Sequence, residues 1–166
     1  IPNWLSPETK LCDAPLTHKV GAPVRFCFIG WMVQAKGVNE LVKAAAQLHA
    51  AGKKFTVQMI GGGTLLDQLR LEVDSLGLAG GVTFTGWLDP IAVGLVLEQA
   101  DVFVLPTYAE GFPNALMEAM SKGLPAISTP VGGIPDSLMD GRTRFLVPPH
   151  DSVELANAMQ RYIDNP

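Results

Sequence analysis

The sequence predicts an α/β fold: a Rossmann-like, three-layer domain built on a mostly parallel sheet of about six strands. Three observations predict it. Short continuous apolar runs rich in β-formers, such as VRFCFI and VFVL, have the pattern of strands buried on both faces of a parallel sheet. Segments with helical periodicity or strong helix formers lie between them, and glycine or proline marks nearly every junction. Regular strand–helix alternation of this kind puts helices on both faces of one sheet.

Taken in order, Val24 to Ile29 reads as a strand, Val38 to Ala51 as an amphipathic helix and Phe55 to Ile60 as a second strand. Gly61 to Gly63 turns the chain into a helix over Leu65 to Leu76. A short strand follows at Val82 to Thr85, then a helix within Pro90 to Gln99, with Pro90 suited to the first helical position. Val102 to Leu105 is a strand ended by Pro106, and Asn114 opens a helix to about Lys122 as a good N-cap residue. The last units are a strand at Ala126 to Ser128, a brief helix after Ile134, a strand at Phe145 to Val147 and a helix from Ser152 to Ile163. The first 21 residues contain three prolines and little periodicity, so they read as a linker, leaving 22–166 as the domain.

Composition excludes several function classes. The chain has 166 residues, enough for one domain with a substantial core. Charged residues make up 17%, below the usual quarter, as in a domain part of whose surface faces another domain. The net charge of −4 and the lack of any Lys/Arg cluster give no case for nucleic acid. No uncharged apolar segment approaches a membrane span and no signal peptide is visible, so the cytoplasm is the default compartment. Cys27 falls inside a strand and reads as a buried free thiol; Cys12 lies in the irregular N-terminal segment. His18, His49 and His150 are scattered without metal-ligand spacing, so no metal is expected.

The most informative stretch is Glu110 to Met120, EGFPNALMEAM. Its helix starts directly above the carboxyl end of a strand, where open α/β sheets place ligands and where free N–H groups favour a phosphate. Two carboxylates, Glu110 before the helix and Glu118 within it, are acceptor-only groups that suit sugar hydroxyls. They have plainer roles open to them. Glu118 fits complementing the helix dipole or pairing with Lys122, and Glu110 fits a solvated loop residue.

After the first strand the chain reads GWMVQAKGVNEL, which is neither the dinucleotide fingerprint nor the phosphate loop ending in Gly-Lys-Ser/Thr. Hydride chemistry and ATP hydrolysis lose their main support. Gly30 at the strand end, Lys36 before the next helix and Gly61 to Gly63 after the second strand remain as places where a ligand could approach, or as ordinary loop and turn residues. VGGIP at Val131 to Pro135 is expected to form another loop on the same edge.

In order along the chain, IPN, FIGWMVQAKGVNELVKA, VQMIGGG, VTFTGWL, ADVFVLPTYAEGFPNALMEAMSKGLPAISTPVGGIPD and FLVPPHD resemble the C-terminal domain of retaining glycosyltransferases of family 4, the glycosyl transferases group 1 domain. The likeness covers almost the whole chain. It implies one half of a GT-B fold, the donor-binding half of a hexosyltransferase using a UDP- or GDP-sugar as co-substrate, without a metal or other cofactor. It implies catalytic roles for Glu110 and Lys36, with Glu110 on the donor sugar's hydroxyls and Lys36 on the diphosphate. It implies that Gly30, Gly111, Phe112, Pro113, Asn114, Ala115 and Leu116 line the donor site, with Glu118 accepting from the ribose. Gly86, Trp87 and Leu88 would lie near the base. The family pattern has Arg directly after the first-strand glycine, and this chain has Trp31 there.

The resemblance further implies an acceptor-binding domain before Ile1, a closing helix after Pro166, reaction in the cleft between domains, little transfer by this half alone, and peripheral membrane contact through the missing half. Family members build polysaccharides, glycolipids and small glycosides. Two rival functions stand beside it: an epimerase-like or phosphorylase-like enzyme of related fold, and a non-catalytic binding or scaffold domain, which Trp31 favours.

Overall fold

The computed structural model describes residues 21–137 and 144–166. The expected linker therefore lies outside the described residues, except for Gly21. Six strands form one sheet: β1 (Val24–Ile29), β2 (Phe55–Ile60), β3 (Val82–Gly86), β4 (Val102–Leu105), β5 (Ala126–Ser128) and β6 (Arg144–Leu146). Their order is β3-β2-β1-β4-β5-β6, and every pairing of these strands is parallel. This is the doubly wound order of dinucleotide-binding folds.

Six helices alternate with the strands: α1 (Val38–Ala50), α2 (Leu66–Ser75), α3 (Pro90–Gln99), α4 (Asn114–Ser121), α5 (Ile134–Ser137) and α6 (Ser152–Asp164). Right-handed crossovers that run one way from β1 to β3 and the other way from β4 to β6 put the helices on both faces. Helix α1 packs against α2 and α6 on one of them.

The strands are the core. Phe26, Cys27 and Phe28 of β1 and all four residues of β4 are at most 2% exposed. Helix α1 closes its layer with an apolar stripe of Leu41, Val42, Ala45 and Leu48. Asp89 caps α3 by accepting from the Ala92 amide at 2.9 Å, with Pro90 in the first turn as its fixed φ favours. Asp151 caps α6 by accepting from Val153 and Glu154.

Element boundaries depart from the sequence expectations by only a residue or so, with three informative differences. A 3₁₀ turn at Gln34–Lys36 precedes α1, which three residues without periodicity do not announce. Strand β6 begins and ends one residue earlier than expected, because Val147 leaves the strand while its amide still donates to the Ser128 carbonyl at 2.8 Å. Asn114 is the first residue of α4 and not its cap; the cap position belongs to Pro113, which offers no side-chain acceptor.

Candidate functional site

The sheet reverses its winding between β1 and β4, so the loops after these two strands face one another across the crevice where open α/β sheets hold ligands. The β1 loop brings Lys36 and the β4 loop brings Glu110. Lys36 Nζ donates to Glu110 Oε2 at 2.6 Å, with the side chains 22% and 13% exposed. Two residues 74 positions apart thus form an ion pair across the switch point.

The loops are locked by backbone approach. A Cβ on Gly37, whose φ is +67°, would sit 1.9 Å from the Pro106 carbonyl oxygen, so only glycine lets the β1 loop lie on the end of β4. The Tyr108 amide and the Thr107 hydroxyl both donate to the Ala35 carbonyl, at 2.8 and 3.0 Å. Thr129 Oγ1 in turn donates to the Thr107 carbonyl at 2.5 Å. After β5, Gly132 approaches so closely that a Cβ there would meet the Glu110 carbonyl oxygen at 1.6 Å. Glu110 is therefore held from both sides and is not an ordinary solvated loop residue.

Behind Glu110, α4 opens with no side-chain cap. The Asn114 amide donates to the Phe112 carbonyl at 2.9 Å, and by position the first-turn amides of Ala115 and Leu116 have no acceptor within the helix. Pro113 and Leu116 are buried, whereas Gly111, Phe112 and Asn114 are exposed at the rim. Glu118 lies half-buried in α4. Burial raises its carboxyl above the usual range, while the nearby Lys122 charge pulls it down. The pairing with Lys122, one of the plainer roles open to Glu118, is not made: Lys122 Nζ reaches Glu98 Oε1 on α3 at 2.9 Å instead.

On the other flank, the Gly30 amide donates to the Ile60 carbonyl at 3.0 Å, so the amide is occupied within the structure. A Cβ on Gly61 would lie 2.0 Å from the Gly30 carbonyl oxygen, and the Met32 amide donates to the Gly62 carbonyl at 2.9 Å. Gly86 closes β3 at φ +74° and accepts from the Gly61 amide at 2.9 Å. Trp87 and Trp31 stand edge to face with ring centroids 4.9 Å apart. Leu88 is half-buried against the core.

Sequence reasoning missed several features. Tyr108, two residues from Glu110, donates its hydroxyl to Glu40 on α1 and stacks on His150 with centroids 3.5 Å apart. That carboxylate neighbour and burial push its hydroxyl well above the ordinary range, burial contributing most. His150, exposed and held at φ +62°, is thus stacked on Tyr108. No local signal in the sequence announces these contacts, since each joins segments far apart in the sequence. Among the described residues, no three of His, Cys, Asp and Glu converge as metal ligands, and no helix is long and apolar enough to cross a membrane.

Comparison with known proteins places this geometry in context. A family model described as glycosyl transferases group 1 matches residues 23–165. The D-inositol 3-phosphate glycosyltransferase of Corynebacterium diphtheriae is 34% identical over 158 residues, covering 91% of this chain and 36% of the relative. The 2-deoxystreptamine glucosyltransferase of Streptomyces kanamyceticus is 32% identical over 146 residues, covering 88% of this chain and 38% of the relative. The chain thus spans little more than a third of the length of these curated relatives. Among solved structures, the sucrose-phosphate synthase of Thermosynechococcus elongatus superposes with a TM-score of 0.77 at 32% identity, over 87% of this chain and 37% of that one. The C-terminal domain of a glycosyl transferase group 1 family protein from Francisella tularensis gives a TM-score of 0.77 at 25% identity, over 87% of this chain and 78% of that one.

Proposed function

Since this chain belongs to the glycosyl transferases group 1 family, we propose that it is the donor-binding half of a retaining glycosyltransferase that takes its sugar from a UDP- or GDP-sugar. The observation that carries the proposal is the Lys36–Glu110 pair at the switch point, its Glu110 on the loop that leads into the uncapped start of α4. A cation, first-turn amides and a half-buried carboxylate converge on one crevice, which suits a ligand with phosphates at one end and hydroxyls at the other.

In this proposal the diphosphate sits at the α4 N-terminus and draws Lys36 Nζ away from Glu110. Glu110, released from its ion pair, accepts a hydrogen bond from a hydroxyl of the donor sugar. Glu118, further into α4, accepts from the ribose, and the loop of Gly86, Trp87 and Leu88 borders the base. As the bond from the sugar to the diphosphate breaks, negative charge grows on the departing phosphate oxygen, beside the helix amides and the Lys36 that donor binding has recruited. Groups arranged before the reaction stabilise that charge without reorganising, which lowers the barrier without a metal. Acceptor binding falls to a second domain, in keeping with relatives more than twice as long as this chain.

Calorimetric titration of the 166-residue chain with UDP- and GDP-sugars tests this. Saturable binding of one class is expected, weakened by Lys36→Ala, with little sugar transfer to acceptors. No binding by either class overturns the donor-site assignment, and robust transfer by the chain alone overturns the half-enzyme assignment.

A further inference from the structure

Trp31 and Trp87 are each more than half exposed, at 57% and 56%, although large aromatic side chains dominate cores and interfaces when buried. They are held in place from below. Trp87 rests on the glycine loop, where a Cβ on Gly62 would meet its Nε1 at 2.9 Å. Trp31 is followed directly by Met32, whose amide and carbonyl bond the Gly62 carbonyl and the Leu65 amide, both at 2.9 Å. The two rings meet edge to face at an interplanar angle of 73°, so they form an exposed aromatic corner carried by the loops that follow β1 and β3, the β1 loop being the one that also carries Lys36.

We propose that this corner is a stacking subsite for the planar base of the nucleotide, with Trp31 as a specificity-determining wall. The proposal rests on the donor-domain reading above and goes beyond it at position 31, where the family pattern carries a phosphate-binding arginine. A tryptophan cannot contact the diphosphate as a cation does, but it gives a base a π-face to stack on. Affinity is thereby moved from the phosphate end of the ligand to the base end. The nucleoside diphosphate is then held with less dependence on salt, because stacking is not screened as ion pairs are.

The test uses the whole chain with UDP and GDP as probes, followed by calorimetry and by the proton spectrum of the base. Whichever nucleotide binds is expected to show upfield-shifted base protons, to lose affinity by roughly tenfold in Trp31→Ala, and to keep most of it in Trp31→Phe. Trp31→Arg is expected to make affinity fall more steeply with salt. If the nucleotide binds wild type and Trp31→Ala equally well, the corner faces something other than the base and the inference fails while the donor-domain reading stands. Equal losses in the Ala and Phe variants overturn it in the same way. If neither nucleotide binds wild type, the donor-domain reading fails first and takes this inference with it.

Discussion

Glu110→Gln is expected to tighten the binding of a bare nucleoside diphosphate, although it removes a residue of the proposed site. The reason is the ion pair. Two unit charges 2.6 Å apart attract with about 6 kcal/mol at an effective dielectric constant of about 20. Most of that is offset by desolvating side chains only 22% and 13% exposed, which leaves a net value of roughly 1–3 kcal/mol. A phosphate that recruits Lys36 must overcome this net term, and in the glutamine variant it need not. Affinity for UDP or GDP, whichever binds, should therefore rise roughly 5- to 150-fold. The same variant lacks the carboxylate that accepts from the sugar, so the extra affinity that the sugar confers on the full donor should shrink. Calorimetric titrations of wild type and variant with diphosphate and donor measure both quantities. A diphosphate affinity unchanged or reduced by Glu110→Gln would show that Lys36 does not exchange Glu110 for phosphate, and the proposed ligand-driven switch would be wrong.

Gly132→Ala should cost about 2 kcal/mol or more, lowering Tm by roughly 4–8 °C, because φ is +54° and the new Cβ would overlap the Glu110 carbonyl oxygen at 1.6 Å. Gly111→Ala meets nothing within 4 Å and serves as the control; equal melting of the two variants would defeat the argument. Burial pushes the Cys27 thiol up to about 12, so its neutral form favours the folded state fully below the unfolded value of about 8.5, and this contribution is lost as pH rises from there toward 12. Native protein at pH 8 should therefore leave Cys27 unmodified by a thiol reagent while denatured protein reacts, as mass spectrometry of the Cys27 peptide would report; rapid native labelling would contradict its burial.

The layers of this fold are legible in the sequence because strands buried on both faces read as continuous apolar runs. VRFCFI and VFVL could hardly be anything else between glycines, prolines and amphipathic segments. Glu110 and Glu118 stood out as carboxylates around a helix start, yet their surroundings did not. The pairing of Lys36 with Glu110 joins residues 74 apart and depends on strand order, which no local pattern encodes. The same holds for Gly132 against Glu110 and for Trp31 against Trp87. Asn114 misled by its own preference: a good capping side chain marks a helix start, but Pro113 already occupies the cap.

The register of the sheet carries one more consequence. β1 pairs with β2 over six residues but with β4 over only two, Phe26 with Val102 and Cys27 with Phe103. The ladder between the halves of the sheet is thus its shortest, and Arg25 of β1 extends the tie by donating to Asp101, just before β4, from both its amide and its guanidinium. Amide exchange reads out how such segments open, locally or together. A ligand lying across the crevice would touch loops from both halves and act as a clasp, expected to slow amide exchange on both sides at once.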